Sequence, residues 1–600
     1  MCGIIGISKG KQELLIKEGL KILEHRGPDD KGVFVDEAVS FGHQRLSIID
    51  LTFSGHQPME VGDKAIISFN GEIYNYQELR EDLIKKGIKF IGSSDTEVIL
   101  RGFILEGKSF FEKLRGMWAL AIYDKTNKKV IFTRDHFGIK PLYYSIQNNE
   151  LSFASEVKAL KKLTRSLTPN TENYWQFYNL GYFIGENTSY KEIKKVLPGE
   201  VLIWNLKTYS LQKSFLPLVR EPEKENLNFE DAVSIVEKSI IDSVEKHYIA
   251  DVPVGLLLSG GADSSLLASI SKKIGKNPVC YHMAIPGSID TEYARGIAKY
   301  LDLDLVKTHF VEEALNQEYE AMGAWLDQPS SDVSLLPTSL VYKSIQKGSK
   351  VVLSGEGGDE LFGGYLRHKK LAGLNKIGRS NNILNSFYLT SNFGLNFINP
   401  VVRRMQEKFA TNIIDTYLHN AKTLGFPIND KNIHQKLLDF YNKHSYQDLV
   451  PANLFFDQFM YLSDSLMYKN DITSMVSSIE ARVPLVDREV LRVASSLPNK
   501  FRLSREYLNK KILKTILKKY LPANLVNRPK KGFGFSFDKL GVELLVADYK
   551  KAVQFHLENA KDLGITSNLK EILQESKAKI ICQKFPRFAF SLITNHKVIG

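Results

Sequence analysis

The sequence predicts two domains of different class: a strand-rich sandwich over roughly the first two hundred residues, then an α/β domain built on a doubly wound parallel sheet. Three observations predict this. Short apolar runs separated by turn residues, AIISF (65–69), WALAIYD (118–124), KVIFT (129–133) and ELSFA (150–154), have the pattern of a sandwich. From about residue 229 apolar runs alternate with helical patterns, as in a parallel sheet with crossover helices. Two of those runs, ending at Leu258 and Leu353, open onto glycine-rich turns, and such sheets bind ligands at the carboxyl ends of their strands.

The length of 600 residues exceeds what one core serves, so two or three domains are expected. The net charge of +12 is spread thinly as scattered lysines, which fits a solvated surface better than a nucleic-acid site. Three cysteines, at 2, 280 and 582, form neither a disulfide framework nor a zinc cluster and favour a reducing compartment. No apolar run has the roughly 20 residues of a membrane helix, and no secretory signal opens the chain. A cytoplasmic protein with no membrane and no nucleic-acid partner is expected.

In the first domain, helices are predicted from about Glu13 to His25 and from about Tyr76 to Lys86. The chain begins MCGIIGI, and a small residue at position 2 permits removal of Met1. Cys2 would then carry thiol and free α-amine together, a nucleophile and a base active near neutral pH. Residues 160–205 keep the first domain's pattern, ending in VLPGEVLIWNL. The domain is therefore placed at 2–206, with a charged, irregular linker at 207–228 and the second domain at 229–600.

The second domain opens with an amphipathic helix from about Phe229 to Lys246. The uncharged run Val252 to Leu258 reads as a buried strand. The turn Ser259–Gly260–Gly261–Ala262–Asp263–Ser264–Ser265 then leads into a helix whose first N–H groups suit an anion. An ordinary strand-to-helix turn is the other reading. No G-x-x-x-x-G-K-[ST] occurs, and Glu360 stands where the third glycine of a G-x-G-x-x-G would fall. PVCYHMAI, DLVKTHF and VVL read as further strands and TEYARGIAKYL as a helix. The second turn, SGEGGDELFGGY, gathers Glu356, Asp359 and Glu360, either as Mg²⁺ ligands beside a triphosphate or as acids favouring a helix start. Asp263 is a further metal candidate.

SGGADSS resembles the pyrophosphate-binding loop of ATP pyrophosphatases, which split ATP between its α and β phosphates. The ordered segments HRGPDD, HQRLSIIDL, GHQPM, FNGEIYNYQELR, SSDTEVIL, LRGMWALAIYD, RDHFGIKPLYY and FASEVKAL resemble the class II glutamine amidotransferase domain over residues 2–160. SSIEARVPLVD and RPKKGFGFSF resemble two further segments of bacterial glutamine-hydrolysing asparagine synthetases.

The resemblance implies a four-layer αββα sandwich of the N-terminal nucleophile class, followed by an ATP-pyrophosphatase domain with added helices. It implies Cys2 as nucleophile, Asn70 and the N–H of Gly71 as oxyanion hole, Arg45 for the carboxylate of glutamine, and Glu72 and Asp95 for its ammonium. Arg45 could instead sit in a surface ion pair, Asn70 in a turn, and Asp95 could cap a helix near Thr96; Arg26 could be structural. For ATP it implies Leu257 and Met283 at the adenine and Ser259, Gly260, Gly261, Asp263, Ser264, Ser265, Ser354 and Gly355 along the nucleotide. Asp263 and Asp359 would hold Mg²⁺, with Glu356 nearby and Lys530 as a cation on the adenylate or leaving pyrophosphate.

The implied reaction amidates aspartate through an acyl-adenylate, and dimers are common among such proteins. Asparagine synthetases often place an arginine in the acceptor region, here DQPSSDVSLLPT (327–338), which has none. Relatives from surface-polysaccharide pathways that amidate a sugar carboxylate are the alternative. A β-lactam synthetase-like cyclase is disfavoured by Cys2.

Overall fold

The computed structural model describes residues 1–368, except 218–219, 286–287, 310, 346–347 and 366, and residues 454–599, except 504–509, 528–541, 562, 564, 566–572, 575–576 and 585. Twelve strands form two antiparallel six-stranded sheets. The first sheet contains β1 (Gly3–Ile7), β2 (Asp30–Val35), β3 (Ser40–Arg45), β8 (Tyr143–Gln147), β9 (Glu150–Ala154) and β10 (Lys194–Lys195), ordered β10-β8-β9-β1-β3-β2. The second contains β4 (Met59–Val61), β5 (Ala65–Ile73), β6 (Gly116–Asp124), β7 (Lys129–Arg134), β11 (Glu200–Asn205) and β12 (Ser210–Phe215), ordered β12-β11-β7-β6-β5-β4.

Strand β6 shows why the sheets face each other. Its alternate side chains Ala119, Ala121 and Tyr123 join Phe41, Phe132 and Phe153 in the core between the sheets. Trp118, Leu120 and Ile122 point the other way, into a cluster with Val98, Ile99 and Phe103 of the helix Asp95–Glu106. The helices Glu13–Ile22 and Val157–Leu163 cover the outer face of the first sheet through Ile16, Leu20 and Leu160. The result is the expected αββα sandwich. Strand β12 falls inside the expected linker and pairs along its whole length with β11, Glu200 to Phe215 and onward to Asn205 with Ser210.

Among the described residues, the second domain has one parallel sheet: β13 (Val254–Leu257), β14 (Cys280–Ala284), β15 (Leu305–His309), β16 (Val351–Leu353) and β17 (Glu480–Arg482), ordered β15-β14-β13-β16-β17. The helices Phe229–His247, Ala262–Lys273 and Ile289–Leu301 bury Val236, Leu266 and Ile297 with Leu256 on one face. Helix Leu335–Ile345 buries Tyr342 and Ile345 with Met283 on the other. The strand order reverses between β13 and β16, so both glycine turns open at the topological switch point, where such sheets bind ligands. Among the described residues, no helix is long and apolar enough to cross a membrane.

Candidate active sites

Cys2 precedes β1 and lies between the sheets, buried, with Sγ 4.0 Å from the Leu46 carbonyl. Its backbone N donates to Asn70 Oδ1 at 2.9 Å. That contact fixes the Asn70 amide, and Asn70 Nδ2 is buried with no hydrogen-bond partner among the described residues. A buried donor left unpaired costs free energy unless a ligand takes it, so Nδ2 is poised for a developing anion. Asn70, Gly71 and Glu72 follow one another along β5. Burial pushes the Cys2 thiol up, opposed most strongly by the nearby N-terminal amine.

Arg45 ends β3 and is buried, donating to the carbonyls of Thr52 at 3.2 Å and Ile49 at 3.3 Å. Buried as it is, it forms no ion pair among the described residues. Asp95 Oδ2 accepts from Ile73 N at 3.0 Å, while Ser94 caps the helix, its side chain accepting from Glu97 N at 3.2 Å. Asp95 is thus the first helical residue and the cap is one position earlier. Burial pushes Asp95 up to about 7. Burial, and then Glu480, pushes Glu72 well above the usual carboxylate range. Glu72 lies 3.5 Å from Arg482 Nη2 of β17, a partner from the second domain.

In the second site, the hydroxyls of the first turn serve the turn itself. Ser259 Oγ meets Ser264 Oγ at 3.0 Å and accepts from Gly261 N at 3.2 Å, and Ser265 Oγ donates to the Gly261 carbonyl at 2.6 Å. The helix that follows, Ala262–Lys273, has no side-chain cap at Gly261. Its terminal N–H groups therefore remain the natural anion contacts. Gly260 has φ +74, and a Cβ there would lie 2.8 Å from the Asp290 carbonyl. The second turn abuts the first, since a Cβ on Gly358 would lie 2.6 Å from Asp263 Oδ1. Leu257 and Met283 belong to one apolar cluster beside these turns, and Ser354 N donates to the Arg482 carbonyl at 2.7 Å.

The acids of the two turns divide their work. Asp263 and Asp359 converge on Lys510 Nζ, with Asp359 at 3.1 Å and Asp263 also in an ion pair. Although burial opposes its charge, these carboxylates hold the Lys510 ammonium above the ordinary lysine range. Two carboxylates facing one cation fit Mg²⁺, which uses one or two carboxylates together with phosphate oxygens and water. Among the described residues no group of three or more acids, histidines or cysteines forms a protein-only metal cage. Glu360 turns inward, bonded to the Tyr365 hydroxyl, and burial together with Asp359 pushes it up to about 8. Glu356 instead pairs with Lys469 at 3.1 Å.

Lys469 was not singled out in the sequence. It lies on the helix Met467–Met475 and reaches the expected acceptor segment, 3.8 Å from Asp332 Oδ2 and 3.5 Å from Ser334 Oγ. Glu356 and Asp332 keep it charged despite its burial. A lone lysine in a helical pattern carries no motif, so only the fold reveals it. Lys530 lies outside the described residues.

The antiparallel sandwich with a buried N-terminal cysteine, joined to a parallel sheet with paired glycine turns at its switch point, defines a glutamine amidotransferase coupled to a synthetase. Residues 1–215 match the family described as a glutamine amidotransferase domain, and residues 236–574 match asparagine synthase. The chain is 33% identical to asparagine synthetase [glutamine-hydrolyzing] 1 of Bacillus subtilis, covering 89% of this chain and 87% of that protein. It is 27% identical to asparagine synthetase [glutamine-hydrolyzing] 3 of the same organism, over 88% and 86% of the two chains. An amidase of Penicillium rubens is also 27% identical, over 86% and 84%. The chain belongs to the asparagine synthase family of glutamine-dependent ligases.

Proposed function

We propose that the chain hydrolyses glutamine at Cys2 and delivers the ammonia to a second site, where ATP has activated the side-chain carboxylate of aspartate as β-aspartyl-AMP. Pyrophosphate leaves in the activation step; ammonia then displaces AMP to give asparagine. With Met1 removed, the Cys2 amine takes the thiol proton as sulfur attacks the glutamine amide, since burial disfavours a standing thiolate. Asn70 Nδ2 and the N–H of Gly71 receive the tetrahedral oxyanion. Arg45 holds the glutamine carboxylate, and Glu72 and Asp95 hold its ammonium, a positive charge that favours their ionised forms against burial. Ammonia in bulk water is mostly protonated at neutral pH, so an internal passage belongs to this proposal.

In the synthetase half, Leu257 and Met283 flank the adenine, and Ser354 and Gly355 contact the nucleotide. The turn Ser259–Ser265 presents the helix terminus to the pyrophosphate. Asp263 and Asp359 would hold Mg²⁺, which when bound supplies charge neutralisation on the phosphates. Lys510, and Lys530 outside the described residues, are cations for the leaving group. Three buried, free cysteines support a cytoplasmic setting.

The observation that carries the acceptor assignment is the cluster of Lys469 with Glu356 and Asp332. One cation between two acids binds a carboxylate while keeping surplus negative charge for an α-ammonium. Aspartate offers both groups; a uronic acid lacks the ammonium. The test is ATP- and glutamine-dependent AMP formation against a panel of carboxylates. Aspartate should stimulate it, and Cys2→Ala should abolish glutamine-dependent synthesis while synthesis from added ammonia survives. Stimulation by uronic acids and not by aspartate would sink the assignment in favour of sugar amidation.

A further inference from the structure

We infer that Asp471, in the synthetase half, is a positioning residue for the glutaminase nucleophile and acts through Arg26. Arg26 is fully buried in the HRGPDD turn of the first domain. Its Nε donates to the Cys2 carbonyl at 3.1 Å. Its Nη1 donates to Glu156 Oε1 at 2.8 Å, and its Nη2 reaches Asp471 Oδ1 at 3.0 Å and Oδ2 at 2.8 Å. The guanidinium is a planar fork, so its anchoring acids set the direction of the remaining N–H.

The two acids are not equivalent. Glu156 is shared with His25 at 2.9 Å and Lys158 at 3.0 Å, whereas both oxygens of Asp471 contact Arg26. Asp471 is itself buried on the helix Met467–Met475, which also bears Lys469 of the acceptor site. A second synthetase carboxylate supports the same region independently. Asp327 accepts from the N–H groups of Val157 and Lys158, each at 2.8 Å, beside Glu156. The peptide carrying the nucleophile is therefore held by a charge that the first domain does not encode.

This assignment rests on Cys2 being the nucleophile, and the experiment separates the two. In the purified full chain, Asp471→Asn keeps the shape and removes the charge. The turnover number for glutamine hydrolysis should fall at least tenfold with KM for glutamine within threefold. The ratio of glutamine-dependent to ammonia-dependent synthesis should fall in step, and Asp471→Glu should recover part of it. Arg26→Lys, which keeps the charge and loses the fork, should show the same split and serves if Asp471→Asn does not fold. A turnover number within twofold of the unaltered chain, or an equal loss of both syntheses with a lowered melting temperature, would overturn the positioning role. Glutamine hydrolysis surviving in Cys2→Ala would instead overturn the nucleophile.

Discussion

Burial presses Asp95 and Glu72 towards their neutral forms, and on the proposed roles of these residues this makes glutamine binding a proton-linked event. The carboxyl of Asp95, ordinarily near 3.8, stays protonated up to about 7 in the folded chain. A raised folded value means that the ligand-free protein loses stability as pH rises between those limits, because the unfolded chain has already released the proton. On the proposed role of Asp95, the ammonium of glutamine requires the ionised form. Affinity should therefore rise as pH increases towards 7, by up to about tenfold per unit, and level off above it. Calorimetric titration of glutamine into Cys2→Ala checks this without turnover; a flat profile from pH 5.5 to 8 would contradict it, and Asp95→Asn should weaken the slope. The candidate residues of this site were legible because each lies in a distinctive segment: Cys2 in MCGIIGI, Arg45 in HQRLSIIDL, Asn70, Gly71 and Glu72 together in FNGEIYNYQELR, and Asp95 in SSDTEVIL. Lys469, Lys510 and Asp471 were not, since Lys469 and Asp471 each read locally as one polar position in a helix and Lys510 as one more lysine just before the helix Lys511–Leu517. Their partners are far away in sequence: Asp471 lies 445 positions from Arg26.

At the scale of elements, the turn after β13 depends on backbone geometry more than on its hydroxyls, which are spent within the turn. Gly260 combines φ +74 with a neighbour 2.8 Å from any added Cβ. Gly260→Ala brings a left-handed penalty of about 1–2 kcal/mol together with a backbone clash. ATP–pyrophosphate exchange should drop more than tenfold relative to glutamine hydrolysis, measured on one preparation; equal retention of both would show that the turn tolerates the side chain. The parallel sheet was readable because strands buried on both faces are continuous apolar runs. Strand β12 escaped notice for the opposite reason. It is an edge strand with four of its six residues exposed and Lys213 among them, so burial leaves no periodic signal.

Across the whole molecule, the two catalytic halves share their interior. Met1, Tyr74, Met117, Phe137 and Ile139 of the first domain belong to the same buried cluster as Leu256, Leu466 and Val483 of the second. Tyr174, Phe177 and Phe183 pack with Phe590 and Ile593 near the C-terminus. Arg115 of the sandwich forms a two-point pair with Asp487, both contacts at 2.9 Å. Calorimetry should accordingly give one dominant unfolding transition. Two well-separated transitions, one per domain, would contradict a shared core. The same contacts impose an order on the making of the protein. A ribosome adding about 5–20 residues per second needs roughly 20–90 s to travel from Arg26 to Asp471. Throughout that interval the nascent sandwich holds a guanidinium short of one of its two acids. On the proposed roles of Cys2 and Asp471, glutamine cleavage would then run slowly until the synthetase half has been translated and docked, and the order of synthesis would limit wasted nitrogen.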